Sequence, residues 1–338
     1  MKAGGTFQRV GVAGAGSWGT ALALVLQARG YAPVVWGHDA QHIAQTNATR
    51  ENRPYLPGVS LPPELSFTAS VDDLRDCELV LIVVPSKAIR EVAARLGSIG
   101  LRADALLLSC TKGIERGSGL RMSEIIREML PGHPIAVLSG PSHAEEVARR
   151  MPTAVVIGSD DTAAAQSAQE ALSTGYLRAY TSDDVAGIEL GGALKNIFAI
   201  AAGVCDGLQL GDNSKAALVT RGLAELIRIG EKLGGRTETF HGLSGVGDLV
   251  VTCFSRHSRN RLVGERLGKG ERLADIAASM QMIAEGVPTT YSVHECARRL
   301  GLETPIITQI RALLEGAVSP GDALRNLLSR DMKPERVG

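Results

Sequence analysis

One lysine stands alone in a long apolar stretch of this sequence. The segment GGALKNIFAIAAGVC, residues 191–205, holds Lys195 as the only charged residue between Glu189 and Asp206. Burial among apolar neighbours lowers the pKa of an ammonium toward neutrality, so such a lysine can both give and take a proton. Beside a carbonyl group it could act as general acid in reduction and general base in oxidation. The alternative is a lysine whose ammonium reaches past the helix into solvent, although the two preceding glycines favour close approach of another group to this face.

A second set of polar residues could hold a phosphate. Ser258, Arg259 and Asn260 follow a glycine-rich segment, GLSGVGDLVVTC, that contains Asp248. Arginine offers phosphate a planar fork of donors, and serine and asparagine add short donors near a predicted helix start. Asp248 could orient Lys195 or bind a substrate hydroxyl. The alternative for the SRNR segment is a basic, solvated first turn of a helix.

A glycine motif near the start of the chain predicts a dinucleotide site. Gly14, Gly16 and Gly19 form G-x-G-x-x-G between an apolar strand and a helical segment, in VGVAGAGSWGTALALVLQARG. The glycines allow a tight turn, close approach of backbone to a pyrophosphate, and close packing of helix on strand. The free N–H groups and the dipole of the helix N-terminus favour the same anion.

The residues after the second predicted strand leave the choice between NAD and NADP open. Asp39 lies about 20 residues beyond Gly19, where an acidic side chain bonds the ribose 2′-hydroxyl of NAD. His38 beside it could instead face the 2′-phosphate of NADP. His38 and His42 have a spacing that could hold a metal on a helix, but a third ligand is lacking nearby. A solvated helix face is favoured there, and no metal is predicted.

Two loops follow predicted strand ends, the edge at which such sheets bind ligands. Lys112 lies in SCTKGIE, and Ser142 lies in SGPSHAEEVA with Glu145 three residues further on, which predicts a capping box. Together they would place a cation and a helix N-terminus near the nicotinamide, a combination that suits an anionic substrate. Taken singly, Lys112 could be an ordinary surface lysine and Ser142 only a helix cap.

The elements that must position these residues fall into two halves. The runs RVGVAG, PVVWG, ELVLIVVP, ALLLSC, IAVLSG and TAVVIGS are continuously apolar, as expected of parallel strands covered on both faces. They alternate with helical stretches, which predicts a doubly wound α/β sheet. After YLRAYTS the sequence reads as helices, with Thr181 and Asp184 as a predicted capping box. We expect domains at residues 1–181 and 182–338, with the site in the cleft between them.

Composition excludes several other classes of protein. The 338 residues are 44% apolar and 21% charged, with 36 basic against 36 acidic side chains, so nothing in the overall charge favours nucleic acid or an anionic membrane. The N-terminus shows no apolar signal core, and we expect no apolar run to approach the roughly 20 residues of a bilayer span, so stable membrane insertion is not predicted. Five scattered cysteines suit a reducing cytoplasm.

Seven blocks of sequence resemble, in order and spacing, those of the bacterial NAD(P)-dependent sn-glycerol-3-phosphate dehydrogenase family. They are GAGSWGTALA, CTKGIE, SGPSHAEEVA, SDDVAGIELGGALKNIFAIAAGVCDGL, GLSGVGDLVVTC, SRNR and AEGVPTT. The resemblance implies a Rossmann-type domain, then an all-helical domain like the C-terminal domain of 6-phosphogluconate dehydrogenase. It implies an oxidoreductase that uses NADH or NADPH to reduce dihydroxyacetone phosphate reversibly to sn-glycerol 3-phosphate for phospholipid synthesis.

The same resemblance assigns roles to individual residues. Lys195 becomes the general acid/base. The implied substrate contacts are Lys112, Gly140, Ser142, Lys195, Asp248, Ser258, Arg259 and Asn260. The cofactor contacts, which include the three glycines of the motif, are Gly14, Gly16, Ser17, Trp18, Gly19, His38, Lys112, Ala144, Arg259, Ile283 and Glu285. Those other than the glycines are implied by the resemblance.

Other functions remain as alternatives. A reductase of the ketopantoate or 3-hydroxy acid type would have no phosphate for the Ser258–Asn260 segment to hold. A regulator could bind the cofactor without chemistry. A serine hydrolase is disfavoured because GLSGV has Val246 where the nucleophile motif needs glycine. A homodimer is expected for this class of enzyme, although no segment of the sequence marks an interface.

Overall fold

The computed structural model describes residues 6–280, 282, 284–332 and 334–335. The chain forms two compact units. One consists of Met1–Thr111 with Met122–Val185, and the other of Lys112–Arg121 with Ala186–Gly338. The first unit is built on a sheet and the second on helices.

The first unit contains an eight-stranded sheet in the order β3-β2-β1-β4-β5-β6-β7-β8 among the described residues. From β3 to β6 every neighbouring pair is parallel, and this order with its reversal at β1 is that of a dinucleotide-binding fold. β6 and β7 are antiparallel, and β7 and β8 are parallel. The strands are β1 (Val10–Ala13), β2 (Val34–Trp36), β3 (Ser66–Thr68), β4 (Leu79–Ile82), β5 (Leu106–Ser109), β6 (Ile135–Ser139), β7 (Thr153–Gly158) and β8 (Leu177–Ser182).

The apolar runs of the sequence form the central strands because both faces of these strands are covered. Every residue of β1, β4, β5 and β6 is buried. The prediction missed β3, a three-residue strand in which only Phe67 is buried. The helices of this unit are α1 (Ser17–Ala28), α2 (Ala40–Thr49), α3 (Ile89–Ser98), α4 (Met122–Met129), α5 (Ala144–Ala148) and α6 (Thr162–Leu172).

The second unit packs helices around one central helix, α7 (Val185–Gly207). The sequence predicts helices for this half of the chain. Residues 187–205 are all buried, and Leu194 and Phe198 are fully so. A π-helical turn, Leu243–Gly247, leads into α10. The other helices are α8 (Gly211–Lys232), α9 (Thr237–Phe240), α10 (Asp248–Phe254), α11 (Arg259–Gly268), α12 (Leu273–Ser279), α13 (Gly286–Arg299), α14 (Pro305–Leu314) and α15 (Pro320–Leu328).

Two expectations about α7 need correction. Thr181 does not cap it, because Thr181 lies in β8 opposite Ile157 and the helix begins at Val185. The hydroxyl of Ser182 instead accepts the N–H of Asp184 at 3.1 Å. Length and composition would also allow α7 to cross a bilayer, contrary to the expectation that no apolar run is long enough. All of that apolar stretch is buried inside the protein, as in the core helix of a globular domain.

The division of the chain differs from the expected boundary after residue 181. The break falls after Val185, and Lys112–Arg121 belongs to the helical unit although it is flanked by sheet residues. The physical reason is that Ile114 is buried in the apolar core of the helices. A segment that carries Lys112 therefore reaches out of the sheet unit.

Candidate active site

Lys195 lies in the middle of α7 with its ammonium inside the protein. The residue is 7% exposed. Its Nζ donates hydrogen bonds to Asp248 Oδ1 and to Thr252 Oγ1, each at 2.6 Å. The ammonium does not reach solvent past the helix, so the snorkelling alternative does not describe this side chain.

Asp248 connects two lysines. Its Oδ2 accepts a hydrogen bond from Lys112 Nζ at 2.6 Å, while its Oδ1 holds Lys195. The carboxylate is almost completely buried, and the Lys112 side chain is about one-fifth exposed. Lys112 and Lys195, which the sequence analysis selected as candidate site residues, are thus joined through Asp248, a third candidate.

Local backbone geometry brings Asp248 to α7. Asp248 is the first residue of α10, directly after the π-helical turn. A Cβ atom on Gly191 would lie 2.6 Å from the carbonyl oxygen of Ser244 in that turn, so only glycine allows the two backbones to pack so closely. The sequence predicts close approach of another group to this face of the helix. At Gly191 that group is the backbone of the π-helical turn.

The charges in this cluster tune the proton affinity of Lys195. Burial is the largest effect and lowers the pKa of Lys195 to about 8, Asp248 opposes that fall, and Lys112 adds to it. Burial alone would raise the pKa of Asp248, but the two ammonium groups outweigh it and hold that pKa below its ordinary value. The aspartate stays ionised, and Lys195 can exchange a proton near neutral pH.

Thr252 is a member of the cluster that sequence reasoning missed. Its hydroxyl accepts from Lys195 and donates to the backbone carbonyl of Asp248 at 2.6 Å. It is 3% exposed and follows Asp248 by four residues on α10, so both side chains lie on one face of that helix. The four-residue spacing of Asp248 and Thr252 in GDLVVTC is the sequence feature that could have identified Thr252.

The SRNR segment forms the start of α11. Ser258 is the N-cap and accepts the N–H of Arg261 at 3.2 Å, and Arg259 is the exposed first residue of the helix. Asn260 is buried and ties helices together, because its Nδ2 donates to Asn196 Oδ1 and its Oδ1 accepts the N–H of Gly286, both at 2.8 Å. A helix N-terminus with an exposed arginine suits a phosphate.

The glycine loop of the first unit fits a dinucleotide. Gly14 has φ +130°, and a Cβ on Gly19 would lie 1.9 Å from the Gly14 carbonyl oxygen, so the turn and the helix packing both require glycine. A Cβ on Gly16 would meet nothing within 4 Å, which leaves the open space that a pyrophosphate needs. Gly16 is the N-cap residue of α1 and provides no side-chain cap. Ser17 and Trp18 form the first turn of that helix.

The two residues that the sequence predicts to face the cofactor's ribose, His38 and Asp39, lie directly before α2. The Asp39 carboxylate is the N-cap, and it accepts the N–H groups of Gln41 and His42 at 3.0 Å each. The bond from His42 is the main cause of its lowered pKa. The capping of α2 therefore accounts for an aspartate at position 39 without any contact to the ribose. His38, next to it, is exposed, and His42 Nε2 lies 2.9 Å from Asn52 Oδ1.

The loop after β6 differs from its predicted conformation. Ser142 does not cap α5, because His143 is the N-cap residue and makes no side-chain cap bond. The Ser142 hydroxyl donates to the Gly140 carbonyl at 3.0 Å. Ala144 begins the short helix. The helix therefore begins one residue later than the Ser-x-x-Glu pattern predicts.

Two remaining predicted cofactor residues precede α13. Glu285 is the residue directly before that helix. Ile283 lies outside the described residues. The contacts of all the predicted residues with substrate and cofactor stay predictions.

A dinucleotide cradle in one unit and a buried lysine with a tuned pKa in the other define an NAD(P)-dependent oxidoreductase. The family profile "NAD-dependent glycerol-3-phosphate dehydrogenase N-terminus" matches residues 9–165, and the corresponding C-terminus profile matches residues 184–325. The chain belongs to the NAD-dependent glycerol-3-phosphate dehydrogenase family. This confirms the family that the sequence blocks resemble.

Individual relatives agree over nearly their full length. A glycerol-3-phosphate dehydrogenase [NAD(P)+] of Prosthecochloris aestuarii is 47% identical over 328 residues, covering 96% of this chain and 98% of the relative. One from Desulfitobacterium hafniense is 45% identical, covering 97% and 93%. The crystal structure of glycerol-3-phosphate dehydrogenase from Coxiella burnetii is 39% identical and has a TM-score of 0.92, covering 96% of this chain and 99% of that one. A ketopantoate reductase from Ralstonia eutropha, 16% identical with a TM-score of 0.62, shares the fold alone.

Proposed function

We propose that this dehydrogenase reduces dihydroxyacetone phosphate reversibly to sn-glycerol 3-phosphate, with Lys195 as the general acid/base. The observation that carries the proposal is the buried chain Lys112–Asp248–Lys195, with both ammonium groups 2.6 Å from carboxylate oxygens. The names of the relatives support the substrate class, and the geometry around Lys195 supports its role as proton donor.

When bound, the nicotinamide cofactor would supply the hydride for the substrate's carbonyl carbon. Negative charge then develops on the carbonyl oxygen, and the Lys195 ammonium both stabilises that charge and donates the proton. In the reverse direction the neutral amine takes the hydroxyl proton. Because the pKa of Lys195 is about 8, both forms are populated near neutral pH. Asp248 and Thr252 hold the nitrogen in place by hydrogen bonds.

The phosphate of the substrate is assigned to the start of α11. Ser258, Arg259 and Asn260 would bind it there, and that remote binding energy would help to position the carbonyl. Lys112, Gly140 and Ser142 complete the proposed substrate contacts. The proposed cofactor contacts are Gly14, Gly16, Ser17, Trp18, Gly19, His38, Lys112, Ala144, Arg259, Ile283 and Glu285.

The finer physiological features are proposals as well. Residues 1–181 would act mainly as the cofactor domain and residues 182–338 as the catalytic domain, with Lys112 as the exception. The product would supply phospholipid synthesis in the cytoplasm, and the enzyme would act as a homodimer.

Replacing the proposed proton donor tests the mechanism. We expect Lys195→Ala to lower kcat about 10² to 10⁴-fold while cofactor binding changes little, the usual range for loss of a general acid. Lys215 offers a matched control, because its side chain is 9% exposed like that of Lys195 and is also paired with an aspartate. Lys215→Ala should lower the stability without a comparable loss of kcat. Near-normal turnover of Lys195→Ala would exclude the lysine from the chemistry.

Assays with two substrates test the phosphate. Dihydroxyacetone phosphate should be reduced with NADH or NADPH, and dihydroxyacetone should be a far poorer substrate. Equal kcat/KM for the two ketones would contradict the phosphate assignment.

A further inference from the structure

The segment Lys112–Arg121, here called the Lys112 hairpin, is closed at its base by backbone pairing. Ile114 and Arg121 form an antiparallel bridge, and the Glu115 N–H donates to the Leu120 carbonyl at 2.9 Å. The hairpin packs within the helical unit although both chain ends lead back to the sheet unit. The position of Lys112 therefore depends on how the hairpin is attached to the helices.

Three contacts attach the body of the hairpin. Ile114 is 4% exposed in the helical core. The Arg116 guanidinium lies 5.4 Å from the centre of the Tyr291 ring. Gly119 has φ +76°, and a Cβ there would lie 2.8 Å from Cys296 Sγ.

An ion pair at the base of the hairpin connects it to the catalytic helix. Arg121 Nη1 donates to Glu189 Oε2 at 2.7 Å, and the two side chains are 16% and 5% exposed. Glu189 lies on α7, the helix that carries Lys195. Burial of a charge pair costs desolvation energy that can offset the attraction between the charges, and the best-attested use of such a pair is to fix a register. This pair joins the base of the hairpin to α7, where it can fix the position of the hairpin along the helix.

We propose that Arg121 and Glu189 are a positioning pair that fixes the Lys112 hairpin on α7, so that the Lys112 ammonium reaches Asp248 and sets the charge around Lys195. The inference rests on the proposed role of Lys195. Since Arg121 is bridged to Ile114, displacement of Arg121 also displaces the backbone two residues from Lys112.

The direction of the effect follows from the groups that face Lys195. Asp248 and the thiol of Cys253 face it from α10, and Lys112 faces it from the hairpin. Burial raises the pKa of Cys253 to about 12, so that thiol is neutral. Withdrawal of Lys112 would remove a like charge, and Lys195 would no longer share the Asp248 carboxylate with Lys112. Both changes favour the protonated form of Lys195.

Two conservative variants test the pair in the intact enzyme. Glu189→Gln keeps the shape but removes the charge, and Arg121→Lys keeps the charge but removes the planar fork. Both retain more of the fold than Arg121→Ala would. Glu225→Gln is the matched control, because Glu225 is 2% exposed and accepts the N–H groups of Ile306 and Ile307, away from the hairpin.

The first readout is the reaction of Lys112 with an amine label, quantified by mass spectrometry against the exposed Lys269. We expect labelling of Lys112 to rise several-fold in Glu189→Gln and Arg121→Lys and to stay unchanged in Glu225→Gln. The second readout is the pH profile of kcat, whose basic limb should move upward by at least about half a pH unit in the same two variants. The KM for dihydroxyacetone phosphate should rise about tenfold, equivalent to about 1.4 kcal/mol.

Unchanged labelling of Lys112 in both variants would overturn the proposal, and so would an equal rise in Glu225→Gln. A basic limb that stays in place while labelling rises would also overturn it. Failure of the proposed lysine mechanism has a separate signature, near-normal turnover of Lys195→Ala, which does not depend on the labelling of Lys112.

Discussion

Replacement of Asp248 by asparagine should move the pH dependence of the reduction toward acid. Asp248→Asn preserves the size of the side chain and removes the negative charge that lies 2.6 Å from both ammonium groups. Asp248 raises the pKa of Lys195, whereas burial and Lys112 lower it. Without the carboxylate, burial and Lys112 are the largest remaining effects and both lower the pKa of Lys195, so that pKa should fall further below about 8.

The size of the change can be bounded. With a pKa of about 8, roughly three quarters of Lys195 is protonated at about pH 7.5. Loss of a contacting opposite charge lowers such a pKa by about 1 to 3 units, so the protonated fraction at that pH would fall to between about one quarter and below about 1%. If proton donation limits turnover, kcat falls about 3-fold to more than about 100-fold.

The assay is the initial rate of NADPH consumption with saturating dihydroxyacetone phosphate, measured across the pH range for both proteins. Because reduction needs protonated Lys195, activity is lost as pH rises through its pKa, and in Asp248→Asn that loss should begin at lower pH. Part of the lost rate should return on acidification. A basic limb that stays at its original pH or moves upward would refute the assignment of Lys195 as the proton donor held by Asp248.

Three further outcomes are expected. Arg259→Ala should mainly raise the KM for dihydroxyacetone phosphate, and an unchanged KM and kcat/KM would place the phosphate elsewhere. The Asp39 and His38 pair predicts use of both cofactors, so kcat/KM for NADH and NADPH should differ by less than about 10³-fold. Burial raises the pKa of Glu225 from 4.5 to about 7, so the folded state holds a proton that the unfolded state releases, and stability falls as pH rises between these values. Glu225→Gln should flatten that fall in urea titrations at several pH values, and an equal slope in both proteins would contradict the shift.

Sequence reasoning succeeded where the determining interactions are local. The glycine loop could be recognised because Gly14 and Gly19 are required by contacts inside one strand–turn–helix unit. The burial of Lys195 could be predicted because the apolar residues that surround it in sequence are buried with it in α7. The central strands were predicted because their burial on both faces gives continuous apolar runs.

The failures have physical causes of two kinds. Thr181 and Ser142 fit a capping pattern, but strand pairing to Ile157 and a turn to the Gly140 carbonyl took precedence over that local preference. Contacts between segments that are distant in sequence could not be predicted, because neither segment alone carries a pattern that identifies its partner. The Arg121–Glu189 pair, for example, joins residues 68 positions apart and could not be read from either segment.

The interrupted second unit limits how this protein can be divided. A fragment that ends at residue 181 would include Ile114 without the helical core that buries it. A chimera that exchanges residues 1–181 for those of another dehydrogenase would also exchange one of the two lysines on Asp248. Recombination of the cofactor unit thus alters the proton chemistry of the helical unit, unless the Lys112 hairpin is kept with the helices that hold it.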